Sequence, residues 1–221
     1  MTRRKVSNPL ALAVLSCLLE RPMHPYEMST TMRERHKEDS IKLNYGSLYS
    51  VVESLARHNL IAARETVRAG RRPERTVYEI TDAGRTEFVD WLSELVSVPV
   101  KEFTQFEAAL SLLAGLAPQD ARRLLEQRAQ RLSHELRAIA AGLQAAGAEG
   151  LPRLFSVEVE YRQALREAEL QFVRKLLGQL IDGTLDGLAQ WQAFHAEEPA
   201  ATSGPENPPV EAAEPFRGRG T

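Results

Sequence analysis

The chain has 221 residues, 43% hydrophobic and 26% charged, a globular composition with room for one large domain or two small ones. Its net charge of −2 hides an asymmetry: residues 1–85 hold 15 Lys+Arg against 10 Asp+Glu, and the remainder holds 13 against 20, so only the first part suits a polyanionic partner. A single cysteine, Cys17, excludes an intrachain disulfide, and no apolar run approaches the ~20 residues that span a bilayer.

Arg3-Arg4-Lys5 ahead of the apolar run Leu10–Leu19 has the outline of an export leader. Pro9 argues instead for the first turn of a buried helix over residues 9–20. A cytoplasmic protein with no membrane partner is the expectation. Arg21-Pro22-Met23-His24-Pro25 breaks the chain, and Pro25 opens a second helix carrying Tyr26, Met28 and Met32.

The third helix has the clearest pattern. Asn44 is a good N-cap, and Leu48, Val51, Val52 and Leu55 recur at i, i+3, i+4 and i+7 as a core stripe. The opposite face carries Gly46, Ser50, Glu53, Ser54 and Arg57, with Ser47 at its edge and Tyr49 on the flank of the core. Small residues there would let the backbone approach a major groove. Asn59 can take the left-handed conformation that closes a helix.

Ile61–Val67 reads as a strand, Arg68-Ala69-Gly70-Arg71-Arg72-Pro73-Glu74 as a basic turn, and Arg75–Thr81 as a second strand of period two. Thr81 caps a fourth helix expected to bury Phe88, Trp91, Leu92 and Leu95 and to stop before Pro99. A helix followed by a basic hairpin is the outline of a winged helix-turn-helix. Lys42, Tyr45, Ser47, Tyr49, Ser50 and Arg57 would meet double-stranded DNA from the helix side, and Arg71, Arg72 and Arg75 from the hairpin. Arg3, Arg4 and Lys5 are further candidates for the DNA backbone.

Residues 99–196 are helical in character throughout. Phe103, Phe106, Leu110 and Leu113 mark one helix, and Pro118 opens the next. Leu125, Ala129, Leu132, Leu136, Ile139 and Leu143 alternate spacings of four and three, the seam of a coiled coil. Gly147–Pro152 break it. A long helix follows with Leu165, Phe172, Leu176 and Leu180 on one side, Gly183 ends it, and Thr184 can cap a last helix to about Ala196. The tail from Glu197 has five prolines in 25 residues and reads as disordered.

The N-terminal motifs resemble the PadR family of bacterial transcriptional regulators. The matching pieces are Leu18-Leu19-Glu20-Arg21-Pro22, His24-Pro25-Tyr26-Glu27-Met28, Gly46-Ser47-Leu48-Tyr49, Leu60-Ile61, Gly70-Arg71-Arg72-Pro73 with Tyr78, and Thr81-Asp82-Ala83-Gly84-Arg85. Each is weak alone, and their order makes chance agreement small. Pro25, Ser50 and Asn59 depart from the family pattern, where glycine, proline and glycine are usual. The helical remainder is similar, in length and pattern, to the large C-terminal domain of an AphA-like branch.

The resemblance implies a mainly α fold with a small β-hairpin wing: a winged helix-turn-helix domain over residues 1–98, a helical dimerisation domain over 99–196 and a tail over 197–221. It implies a homodimer clasped through the C-terminal helices, here Leu125, Leu132, Leu136, Ile139, Leu143, Phe172 and Leu176. It also implies repression at a pseudo-palindromic operator, relieved in some members by a small hydrophobic or phenolic effector. Trp91, Phe103, Phe106, Tyr161 and Trp191 could line such a site, although aromatics at helical spacing more often pack a core.

The five histidines show no pairing at metal-ligand spacing, and no nucleophile elbow, phosphate loop or acid/base pair is present. The sequence therefore points to no enzyme, no cofactor and no metal. The competing function is a helical ligand-sequestering or interaction module whose winged part is vestigial.

Overall fold

In the computed structural model, residues 8–67 and 75–197 are described. These fall into two compact units divided between Glu102 and Phe103.

The first unit begins with α1 (Pro9–Glu20), whose N-cap Asn8 accepts the Leu10 N–H at 3.0 Å. α2 (Pro25–Glu34) starts at a reciprocal cap: the His24 ring nitrogen Nδ1 accepts from the Tyr26 N–H at 3.0 Å, and Glu27 accepts from the His24 N–H at 2.8 Å. A 3-10 turn at Lys37–Asp39 follows His36 at φ 52. α3 (Tyr45–Arg57) is capped by Asn44, which accepts the Ser47 N–H at 2.7 Å, and Asn59 closes it at φ 58. Pro9, Pro25, Asn44 and Asn59 are positions the sequence indicated; the caps at Asn8 and His24 and the 3-10 turn are not.

β1 (Ile61–Val67) and β2 (Arg75–Ile80) pair antiparallel, with a bulge between Ala63 and Glu65. Met23, in the corner between α1 and α2, extends this hairpin by a bridge to Tyr78, with two backbone hydrogen bonds of 3.0 Å. α4 (Asp82–Ser97) starts where Thr81 accepts the Gly84 N–H at 3.0 Å. One core joins all of these elements. Leu10, Val14, Leu15 and Leu18 of α1 meet Met28 and Met32 of α2, the α3 stripe, Ile61, Ile80 and Trp91. The whole predicted α3 stripe lies inside it.

The fourth helix corrects the expectation in part. Only Trp91 is buried, with Phe88 packed beside it, whereas Leu92 and Leu95 are exposed. The cause is Gly84. A Cβ there would stand 2.0 Å from the Leu60 carbonyl oxygen, so the missing side chain lets α4 approach along its 84–88–91 face. Leu92 and Leu95 lie one step round.

In the second unit α5 (Gln105–Ser111) is shorter than expected, and Phe103 lies before it and is exposed. A 3-10 turn at Leu113–Gly115 leads to α6 (Pro118–Ala148). Gly150, at φ 77, sits at the turn toward α7 (Val157–Ile181). α8 (Leu188–Glu197) starts after Gly187 at φ 81, three residues later than the Thr184 cap would place it.

The N-terminal part of the α6 seam packs within its own chain. Leu125 and Leu132 are buried against Leu170, Val173 and Leu177 of α7, with Ala129, Leu136 and Leu176 at the margin. Contact with a partner through Leu125 or Leu132 would require the helix pair to open. On α7 the buried stripe is 170–173–177, so Leu165 and Phe172 are half exposed instead of inward. The α7 sequence supports two neighbouring apolar stripes, and packing on α6 selects one. The predicted tail lies almost wholly outside the described residues.

Candidate nucleic-acid interface

α1, α2 and β1 hold α3 from behind through Leu48, Val51, Val52 and Leu55, so its other face is free. On that face Gly46, Ser50, Glu53 and Arg57 are exposed, and Ser47 is half-buried. The Ser50 hydroxyl donates to the Gly46 carbonyl at 3.0 Å, which keeps this side chain close to the helix surface. Tyr49 is 44% exposed, matching a ring that packs at its base and leaves its hydroxyl outside. Lys42 is exposed on the loop entering α3. Neither Lys42 nor Arg57 has an ion-pair partner among the described residues, so both charges remain available for phosphate.

Tyr45 is the first residue of α3, and Arg75 opens β2 opposite Val67. Arg71 and Arg72, like Arg3, Arg4 and Lys5, lie outside the described residues. Sequence reasoning passed over Arg64. It stands at the β1 bulge, is exposed, and lies 3.9 Å from Glu79. Its signal was a basic residue in the first strand, to which the strand pattern assigned no role.

Two carboxylates brace the scaffold behind this face. The Glu20 carboxyl is held below its ordinary value of 4.5 by its hydrogen bonds with Arg35, joining the end of α1 to the end of α2. The Glu27 carboxyl is lowered mainly by the His24 backbone N–H it accepts. Burial pushes the Cys17 thiol up to about 11, so it is a packed side chain with little nucleophilic character.

The five aromatics considered for an effector do not converge. Trp91 is in the core of the first unit, while Phe103 and Tyr161 are exposed. Trp191 donates from Nε1 to the Leu116 carbonyl at 2.8 Å. Only Phe106 lines the groove of the second unit, a recess of about 390 Å³ between α5, the 3-10 turn and α6. Among the described residues there is no cluster of His, Cys, Asp and Glu able to hold a metal, and no helix long and apolar enough to cross a membrane.

Three packed helices, a paired hairpin and an open third-helix face define a winged helix-turn-helix. Residues 14–90 match the model of the transcriptional regulator PadR-like family. Its fold is similar to the crystal structure of Bacillus subtilis PadR in complex with operator DNA, at TM-score 0.64 and 18% identity, covering 79% of this chain and 99% of that one. The same regulator in complex with p-coumaric acid gives TM-score 0.63 at 16% identity, covering 77% and 98%. The Vibrio cholerae virulence activator AphA gives 0.59 at 18% identity, covering 78% and 98%. No curated protein matches the chain in sequence.

Proposed function

We propose that this chain is a sequence-specific DNA-binding transcriptional regulator, a cytoplasmic homodimeric repressor of a pseudo-palindromic operator. The observation that carries the reading is the α3 face: small at Gly46 and Ser50, cationic at Lys42 and Arg57, and seated on a complete helix-turn-helix core. Residues 1–98 read DNA and residues 99–196 pair the protomers. Ser47, Ser50 and Tyr49 lie against base edges and phosphates, while Tyr45, Lys42, Arg57, Arg71, Arg72 and Arg75 bind the backbone. Two such faces related by a two-fold axis would fit half-sites about one helical turn apart. Ile139, Leu143 and Phe172 would meet a partner, a reading supported by their absence from the core between α6 and α7, and Leu136 and Leu176 would border them. A small apolar effector releases the DNA.

The complex of the Bacillus subtilis relative with operator DNA supports the DNA reading, and its complex with p-coumaric acid supports an effector. A gel shift with DNA upstream of the protein's own gene tests the proposal. Retardation should weaken steeply with salt, falling by about 10³ between 50 and 200 mM if six phosphates are contacted. Arg57→Ala and the double change Arg71→Ala, Arg72→Ala should each reduce it. Absence of a shift at low salt would leave the sequestering module as the better account.

A further inference from the structure

The recess in the second unit combines an apolar floor with a cationic wall, and the last helix brings the chain to its rim. Phe106, Leu113, Leu116, Leu124, Leu125 and Leu132 supply the floor. Arg128, Arg131 and Arg166 also line it, against the single carboxylate Glu135. Two of these arginines are pinned: Arg128 donates to Glu169 at 2.6 Å, and Arg166 donates to Glu135 at 3.0 Å. Arg131 is exposed and has no ion-pair partner among the described residues.

α8 lies against the segment that forms one side of the recess. Trp191 donates from Nε1 to the Leu116 carbonyl at 2.8 Å, and His195 Nε2 lies 2.8 Å from the Ala114 carbonyl oxygen. Leu113 and Leu116 of that segment line the recess, so the chain leaves α8 at Glu197, within a turn of His195, beside the rim. Residues 198–221 contain two large apolar side chains, Val210 and Phe216, and these bracket Glu211 and Glu214 with no basic residue between them. Val210–Phe216 therefore carries the complement of the recess: apolar groups for its floor and carboxylates for its wall.

We propose that the recess is a docking groove for this chain's own segment Val210–Phe216. Phe216 covers Phe106 and the leucines, and Glu211 or Glu214 pairs with Arg131, where a charge-assisted hydrogen bond has an unspent donor. Residues 198–209 can span at most about 40 Å when extended, enough to carry the segment from α8 across the recess. Tethering sets its effective concentration on the order of millimolar, so a contact too weak to hold a free peptide suffices. An apolar side chain from a second copy would cover Arg131 without pairing it, an unfavourable arrangement. The docking goes beyond the function proposed above and requires neither DNA nor an effector.

Photo-cross-linking of the full chain tests the groove, with p-benzoylphenylalanine in place of Phe216 and peptide mapping by mass spectrometry. Cross-links from position 216 are expected at Phe106, Leu113, Leu116 or Leu124. Arg131→Glu, which sets like charges together, should cut their yield about tenfold. Adding Glu211→Arg and Glu214→Arg to Arg131→Glu should restore the yield, which a general disturbance of α6 would not allow. Chains with light and heavy nitrogen, mixed in denaturant and refolded together, show whose segment is bound. Cross-links within one isotope class support the proposal, and mixed-isotope pairs overturn it by assigning the groove to the segment of a second copy. Cross-links scattered over the surface or absent, a yield indifferent to Arg131→Glu, or failure of the charge swap to restore it would each overturn it too. A failed gel shift leaves these outcomes unaffected, so the two readings fail separately.

Discussion

Gly84 shows how much one missing side chain can specify. Its Cβ position is occupied by the Leu60 carbonyl oxygen at 2.0 Å, and that carbonyl also accepts from Thr81 through N–H at 3.1 Å and hydroxyl at 3.0 Å. Gly84→Ala must therefore push α4 off the hairpin, with an expected loss of about 3 kcal/mol in chemical denaturation. Asn59 is the milder case. At φ 58 it occupies a conformation glycine takes freely, so Asn59→Gly should be nearly neutral and Asn59→Ala should cost about 1 kcal/mol. Glu20 and Glu27 make the scaffold pH-sensitive. Both carboxyls are depressed on folding, so their stabilisation is present above the ordinary value of 4.5 and is lost as pH falls through their folded values. Melting temperature followed from pH 6 downward should fall less in Glu20→Gln and Glu27→Gln than in the parent chain.

Helices and strands were more legible than their inward faces. Caps and breakers act locally, so Asn44, Pro9, Pro25, Thr81 and Pro118 marked helix starts from sequence alone. Facing is decided by partners far away in the chain. Both α4 and α7 carry two adjacent apolar stripes, and close approach at Gly84 and packing on α6 choose between them. The groove arginines Arg128, Arg131 and Arg166 belong to no sequence motif and come together only when α5 and α7 are packed beside α6. The α6–α7 pairing gives a direct test. Leu132→Ala empties a buried site and should cost about 3 kcal/mol, whereas Phe172→Ala, half exposed, should leave stability nearly unchanged. Sedimentation of Phe172→Ala then reports on self-association without the confounding effect of unfolding.

At the scale of the whole molecule, the sequence splits into a basic first part and an acidic remainder, and the described residues fall into two compact units. The first unit has a continuous core and an open polar face. The second is an antiparallel helix pair with a cationic, apolar-floored recess. What the sequence left undecided was whether the heptad seam joins protomers or helices of one protomer, because the same spacing serves both. Burial of Leu125 and Leu132 beneath α7 decides it for those two residues.

The bridge from Met23 to Tyr78 couples two motions that could otherwise be separate. Its paired hydrogen bonds tie the corner between α1 and α2 to the second strand, so the third helix and the hairpin cannot tilt independently. Amide hydrogen exchange should register this as one opening event, with Met23 and Tyr78 exchanging together and at the rate of the α1 amides. On the function proposed above, such a unit would act as a fixed caliper jaw, and the grip of a homodimer on DNA would be tuned by the spacing of two jaws, leaving the shape of either unchanged.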